Sequence, residues 1–123
     1  MATELPEIVT LGNPRLARPS DPVDLDRIET LEFQNQLDLL HVGLEHHGAN
    51  GIAAPQLGWF QRFFLMRDPG GSSDLFYWIN PKVSILDEEP VWYWEGCLSV
   101  PGLNAYVGRP RAISVEGFDR NAK

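Results

Sequence analysis

Apolar side chains recur at spacings of four, three and four residues in the first half of the chain. They are Phe33, Leu37, Leu40 and Leu44. This spacing places all four on one face of an α-helix. Asp26, followed by Glu29 three residues later, matches the capping box at which helices begin. Gly48 suits the left-handed conformation at which they end, so the pattern predicts one amphipathic helix here.

After position 60 the pattern changes to short runs rich in aromatic and β-branched residues, which predict strands. The runs are Arg62 to Met66, Phe76 to Ile79, Val83 to Leu86, Val91 to Trp94 and Ala112 to Phe118. Turn-forming residues at 68–74, 80–81 and 88–90 separate them. A further short strand is predicted at residues 8–10. We therefore predict an α+β fold, with one helix packed on a mostly antiparallel sheet of short strands.

The composition is that of an ordinary globular protein. A length of 123 residues predicts a single domain over residues 1–123. A hydrophobic fraction of 43% and a charged fraction of 22% are typical of soluble domains. The net charge of −7 argues against nucleic-acid binding, which requires clustered Lys and Arg.

The sequence also predicts the cellular compartment of the protein. No apolar run approaches the roughly 18 residues of a membrane span. The single cysteine cannot form an internal disulfide. The first seven residues are acidic and lack the basic start and apolar stretch of a signal peptide. The expected compartment is the cytoplasm, with no membrane contact.

That single cysteine, Cys97, has more than one interpretation. A lone intracellular cysteine is most often a small buried hydrophobic residue. Here it follows Glu95-Gly96 at the end of an aromatic strand, a usual place for site residues. As a thiolate it would be a nucleophile, which needs a neighbouring base, or a metal ligand, which needs two or three partners. The available histidines are His41, His46 and His47.

The second candidate segment is Gly-Ile-Ala-Ala-Pro-Gln-Leu-Gly at residues 51–58. Its structural interpretation is a tightly packed turn that ends in a solvated amide. Its functional interpretation is a surface of small residues against which a peptide lies as an added strand. In that case Gln56 directs its amide toward an oxygen that becomes negatively charged.

Together the two segments resemble the first two signature motifs of the peptide deformylase family. The second motif is Trp-Glu-Gly-Cys-Leu-Ser-Val-Pro-Gly at residues 94–102. Weaker matches at residues 11–16, 79–81 and 107–110 extend the resemblance over nearly all of the chain. Family members hydrolyse the N-formyl group from the initiator methionine of nascent polypeptides, and the resemblance implies these ribosome-associated peptides as partners.

The resemblance also assigns site residues. Cys97 corresponds to the thiolate ligand of a catalytic divalent metal, ferrous iron or zinc. The Leu98 backbone N–H and the Gln56 amide correspond to the donors that hold the formyl oxygen during catalysis. Gly51 corresponds to a substrate-binding glycine beside the methionine pocket, and Glu95 to a position that adjoins the metal ligand on the substrate side. Ala49-Asn50 departs from the family's preferred glycine and aliphatic residue, which bears on the shape of that pocket.

The family's third motif, His-Glu-x-x-His on a C-terminal helix, is missing, because no histidine follows His47. That helix supplies two metal ligands and the Glu that moves the proton. His46 and His47 would point about 100° apart on a helix, so they are poor replacements. We expect a domain that is truncated at its C-terminal end relative to the family, with metal bound weakly or not at all and no activity alone.

Three hypotheses follow. The chain is part of a longer deformylase, or a deformylase-like module that has lost catalysis and binds peptide N-termini, or a structural domain with an inert cysteine. The first is favoured because Gln56, Cys97 and Leu98 are all present. Loss of the C-terminal helix predicts that the apolar stripe of the remaining helix lies partly uncovered, as a groove that promotes self-association.

Overall fold

The predicted helix is α1, Leu31–His46, in a computed structural model that describes residues 4–123. Met1 to Thr3, the start of the acidic N-terminal segment, lie outside the described residues. The helix does not begin at the predicted capping box. Thr30 is its N-cap, and the Thr30 hydroxyl accepts a hydrogen bond of 3.2 Å from the Phe33 N–H. Asp26 lies instead in a short 3₁₀ turn, Leu25–Arg27, whose own cap is Asp24.

The helix ends as the sequence predicts. Gly48 adopts a positive φ of 60°, and its N–H donates to the Glu45 carbonyl. The next N–H, from Ala49, donates to the Leu44 carbonyl. These two bonds form a Schellman motif, which satisfies carbonyls that the helix end would otherwise leave free.

The sheet has four antiparallel strands in the order β1-β2-β3-β4. They are β1 Gly51–Ala53, β2 Phe63–Arg67, β3 Leu75–Cys97 and β4 Val100–Phe118. The predicted α+β class is therefore confirmed. The predicted short strands are wrong for the second half of the sheet, because β3 and β4 contain 23 and 19 residues and form one long two-stranded ribbon.

Two of the predicted turns lie inside β3. At Asn80-Pro81 the pairing with β4 shifts between Ile79 and Lys82, and Asn80 has a φ of 53°. The Asn80 side chain bonds the Val23 N–H at 2.7 Å and the Val23 carbonyl at 2.8 Å, which compensates for the irregularity. Residues 88–90 lie at another shift in the pairing of β3 with β4, between Asp87 and Pro90. Turn-forming residues thus produce bulges here, because the ribbon continues on both sides of them.

The predicted strand at residues 8–10 is absent, although this segment is bound to the rest of the molecule. The Val9 N–H donates to the Gln56 carbonyl at 2.8 Å, and the Leu11 N–H to the Ser99 carbonyl at 2.7 Å. The segment therefore runs beside the two sequence motifs without joining a sheet.

The core lies between α1 and the face of β1, β2 and β3 that is directed toward it. Phe33, Leu37, Leu40 and Leu44 are all 0% exposed. Burial of each such side chain contributes on the order of 2 kcal/mol. Gly43 lets the helix approach β1 closely, since a Cβ there would lie 3.1 Å from Ile52 Cδ1.

The predicted open groove over the helix stripe is therefore wrong. The stripe is covered by side chains from the sheet and from the segment before the helix: Val23, Ile28, Ile52, Phe63, Leu65 and Ile79. Most of the large exposed apolar side chains lie on the ribbon instead. Trp92, Trp94 and Tyr106 form an aromatic cluster there, with exposures of 52%, 72% and 55% and ring centroids 5.4 to 5.6 Å apart.

A cross-strand ion pair fixes the ribbon near its closed end. The Arg109 guanidinium donates three hydrogen bonds of 2.7 to 3.2 Å to the Glu95 carboxylate. These bonds lower the pKa of Glu95 below its ordinary value and raise the pKa of Arg109. The pair therefore links β3 and β4 close to Cys97.

At its other end the ribbon is attached to the helix. Arg120, just after β4, donates to Gln34 Oε1 at 2.8 Å and to Asp38 Oδ1 at 3.0 Å, both on α1. Residues 119–123 form a turn, and no helix follows β4 within the described residues. Across residues 4–123, none of the helices has both the length and the apolar content needed to traverse a membrane.

Replacement of the helix cap gives a test of the corrected boundary. Thr30→Ala removes the acceptor for the Phe33 N–H and should lower the free energy of unfolding by about 1 kcal/mol. The measurement is urea denaturation followed by circular dichroism. Asp26→Ala is the control and should have a smaller effect, because Asp26 does not cap α1. Equal losses in the two variants would contradict this assignment of the cap.

The Glu95–Arg109 pair predicts a pH dependence. Because folding lowers the pKa of Glu95, the stabilisation is fully present above the ordinary carboxyl pKa of about 4.3 and is lost as the pH falls through the lowered value. In Arg109→Gln the pKa of Glu95 should rise toward its ordinary value, as measured by NMR titration of the side-chain carboxyl carbon.

The matched control is Arg111→Gln, since Arg111 pairs with Asp87 at 2.7 Å and does not bind Glu95. An unchanged Glu95 titration in Arg109→Gln would show that the pair does not determine this pKa.

Candidate functional site

The first motif forms β1 and the turn that follows it. Gly51 pairs with Met66 of β2 and is exposed. Since β1 is the first strand of the sheet order, its other edge has no strand partner among the described residues. The chain then enters a 3₁₀ turn, Ala54–Leu57, which contains Gln56. The motif thus combines an open strand edge with a side-chain amide one turn later.

The orientation of the Gln56 amide is set locally. Its Oε1 accepts a hydrogen bond of 2.9 Å from the Ala53 N–H, which leaves the Nε2 donor directed away from the turn. Nε2 lies 3.6 Å from Cys97 Sγ and 3.3 Å from Ser99 Oγ. The structure therefore brings together the glutamine and the cysteine, which are 41 residues apart in sequence.

The second motif forms the closed end of the ribbon. Cys97 is the last residue of β3, Leu98 and Ser99 form the turn, and β4 begins at Val100. Cys97 is exposed, so its interpretation as a buried hydrophobic residue is wrong. Leu98 packs its side chain against the core. This contact holds the turn, and with it the Leu98 backbone, beside the thiol.

Both motifs line one cleft with a volume of about 890 Å³. Gly51, Gln56, Cys97 and Leu98 all line it. Of the five site residues predicted from sequence, these four therefore share one surface. Glu95 does not line this cleft; it is engaged with Arg109 on the ribbon.

Sequence analysis missed two polar residues, a buried serine that contacts Gln56 and an asparagine of the cleft wall. Ser99 is 6% exposed, its hydroxyl contacts Gln56, and its carbonyl holds the N-terminal segment through Leu11. A weak sequence signal for these two contacts was the hydroxyl residue directly after Leu98. Asn104 lines the cleft itself. No local pattern indicates Asn104, because its position depends on the pairing of β3 with β4.

The histidines at the end of α1 do not share one site. His47 lines the main cleft, whereas His46 lines a separate hollow with His41 and Glu45. Glu45 in turn binds Arg67 at 3.1 Å, and this hydrogen bond lowers the pKa of Glu45. Within residues 4–123, no three or more His, Cys, Asp or Glu side chains are placed to hold a metal ion. The described residues thus include Cys97 as a candidate ligand but do not fit a complete metal centre.

This arrangement places a thiol, an oriented amide donor and an open strand edge around one cleft. A peptide bound along β1 would have main-chain partners, and an oxygen beside Cys97 would have a donor in Gln56. The described cleft thus has groups that bind and orient, without a metal-ligand set.

Known proteins support the resemblance inferred from the motifs. A family profile described as polypeptide deformylase matches residues 5–123. A peptide deformylase of Leptospira biflexa serovar Patoc is 32% identical over an alignment 123 residues long. The alignment covers 94% of this chain and 69% of that protein.

Solved structures of peptide deformylases are also similar to this chain. The peptide deformylase of Ehrlichia chaffeensis in complex with actinonin has a TM-score of 0.87 and 30% identity, over 98% of this chain and 72% of that one. A Met-Ala-Ser-bound class I type b peptide deformylase from Acinetobacter baumannii has a TM-score of 0.90 over 99% of this chain and 81% of that one. At 21% identity, the second comparison supports the fold alone. Together, the match over residues 5–123 and the Leptospira relative show that this chain belongs to the peptide deformylase family.

Proposed function

We propose that this chain forms the peptide-binding cleft and provides the thiol of a peptide deformylase. The reaction removes the N-formyl group from the initiator methionine of nascent polypeptides. Water adds to the formyl carbon, the C–N bond breaks, and formate and a free amine are released. The observation that carries the proposal is the 3.6 Å approach of Gln56 Nε2 to Cys97 Sγ at the wall of the cleft.

Peptide binding is assigned to the open edge of β1. A short extended peptide can pair its main chain with this edge, as an added strand does in other peptide-binding proteins. Gly51 has no side chain to obstruct that approach. The Acinetobacter relative, which shares this fold, is bound to the tripeptide Met-Ala-Ser. We infer that peptides of this kind are the ligands of the cleft.

Gln56 and Leu98 are assigned to the formyl oxygen. With Oε1 fixed by the Ala53 N–H, the Nε2 donor faces the cleft without rearrangement. The Ser99 hydroxyl lies 3.3 Å from Nε2, slightly beyond the usual range, and the Cys97 sulfur at 3.6 Å is a weak acceptor, so a carbonyl oxygen would be a better acceptor. The Leu98 N–H would be the second donor. Donors that are oriented in advance stabilise the developing negative charge.

The family resemblance implies a divalent metal, ferrous iron or zinc, with Cys97 as one ligand. A tetrahedral metal site needs three protein ligands besides an open position. The described residues place no such set around Cys97, and the 123-residue sequence contains no His-Glu-x-x-His. We therefore assign no step to a metal in this chain. Residues 1–123 alone are proposed to bind peptide without turnover.

An alternative is a module that binds peptide N-termini and does not catalyse. The cleft, the oriented amide and the thiol are present, whereas the described residues lack the glutamate that would move the proton. Under either proposal the partners are formylated nascent peptides in the cytoplasm near the ribosome. The net charge of −7 gives no reason to expect direct nucleic-acid binding.

Peptide binding by the 123-residue chain tests the proposal. We expect formyl-Met-Ala-Ser to bind more tightly than Met-Ala-Ser in isothermal titration calorimetry, without formate release in a coupled dehydrogenase assay. Gln56→Ala should reduce the preference for the formylated peptide by about fivefold to tenfold, because one hydrogen bond to the formyl oxygen is lost.

The control is Gln61→Ala, which changes a glutamine outside the cleft and should keep the preference. Absence of binding by either peptide would refute the proposed function. Formate release at an enzymatic rate would instead show that the chain is catalytically sufficient.

We further propose that the chain self-associates through the ribbon. The aromatic cluster spans β3 and β4, and β4 is a 19-residue strand that ends the sheet order, with no strand partner on its outer edge among residues 4–123. Such an edge pairs readily with a second copy. The aromatic rings of the cluster add apolar area to that contact.

Sedimentation equilibrium tests this association. We expect a concentration-dependent dimer, and Trp94→Ser should weaken the dimer by about tenfold because a large exposed ring is removed. Val42→Ser, on the exposed face of α1, is the control and should leave the dimer unchanged. A monomer at all concentrations would rule out the contact.

A further inference from the structure

A second carboxamide reaches the cleft from the ribbon. Asn104 of β4 pairs with Gly96 of β3. A Cβ at position 96 would lie only 2.8 Å from Asn104 Oδ1. The Asn104 carboxamide therefore occupies the space that a side chain at position 96 would fill, one residue from Cys97. The absence of a side chain at Gly96 is what allows Asn104 to lie there.

The side-chain polar atoms of Asn104 have no hydrogen-bond partner among the described residues. Asn104 is also exposed. The same is true of Asn50, which lines the cleft beside Gly51. The Asn50 backbone is fixed, since its carbonyl accepts from the Arg67 N–H at 2.9 Å. By contrast, the Asn80 carboxamide is bonded through both of its ends.

The rest of the cleft wall near these residues is partly apolar. Ile8, Val100 and Leu103 contribute aliphatic side chains. A carboxamide carries two donors and an acceptor with two lone pairs. A bound apolar side chain would cover Asn50 or Asn104 without satisfying these groups, and unsatisfied polar groups are costly to desolvate. A bound polar side chain would satisfy them.

We propose that Asn50 and Asn104 are specificity-determining residues that select polar side chains in the residues after the methionine. This inference rests on the proposed function, since it assumes that a peptide N-terminus lies in the cleft. Both carboxamides hydrogen-bond hydroxyl or amide side chains of the peptide. The chain therefore prefers peptides such as formyl-Met-Thr-Thr over formyl-Met-Val-Val.

Threonine and valine have nearly the same shape, so this pair of peptides isolates the hydroxyl group. Calorimetric titration of the 123-residue chain with each peptide gives the ratio of the two dissociation constants. We expect the threonine peptide to bind about fivefold to tenfold more tightly. Asn104→Leu and Asn50→Leu should each lower this ratio, and the double variant should bring it close to one.

A variant that leaves both asparagines in place gives an independent test. Gly96→Ala places a methyl group against Asn104 Oδ1, which is the end of a flexible side chain and can rotate away. The ratio should fall while the free energy of unfolding changes little. Asn121→Leu is the matched control: Asn121 is an exposed asparagine in the turn after β4, outside the cleft, and its replacement should keep the ratio.

The outcomes separate this inference from the proposed function. If both peptides bind with a ratio near one, or if the ratio is the same in Asn104→Leu as in the unmodified chain, the inference is wrong and peptide binding still stands. If neither peptide binds, both the inference and the proposed function are wrong.

Discussion

The close approach of α1 to β1 at Gly43 is the contact on which the rest of the molecule depends. With no side chain at that position, Ile52 packs directly against the helix, and the stripe of apolar residues on α1 is fully buried. The strand β1 contains only three residues and could not hold its position by pairing alone. Its place is fixed by packing on one side and by β2 on the other.

This packing positions the cleft as well. The 3₁₀ turn begins directly after β1, so the strand that the helix holds also sets the position of Gln56. The cysteine arrives from the opposite direction, at the end of a ribbon whose two strands are joined near that end by Glu95 and Arg109. The amide donor therefore belongs to the helix–sheet core, whereas the thiol belongs to the ribbon.

The features that depend on local pattern were predictable from the sequence. Phe33, Leu37, Leu40 and Leu44 repeat with the period of a helix, and Gly48 ends that helix because few other residues accept a positive φ. The two motifs were recognisable as short, dense runs of unusual residues. Their meeting was expected from resemblance, and no property of either segment alone would have predicted the distance between them.

Other features depend on competition between local preference and long-range pairing. Asp26 and Thr30 are both good caps, and the sequence alone did not show that Asp26 would fall within a 3₁₀ turn. Asn80-Pro81 is an ordinary turn signal, yet extensive pairing on both sides turns it into a bulge. The helix stripe is covered despite the missing family helix, because the sheet and the segment containing Val23 and Ile28 are sufficient to bury it.

Ser99 joins three distant parts of the chain, and this has a mechanical consequence. Its hydroxyl contacts Gln56, its carbonyl receives the Leu11 N–H, and its own position closes the ribbon. Ile8 and Thr10, next to that attachment, form part of the cleft wall. Local opening begins where few buried contacts hold a segment. Release of the bond between the Leu11 N–H and the Ser99 carbonyl would free one wall of the cleft and loosen the ribbon turn at the same time, so these two parts of the molecule open together.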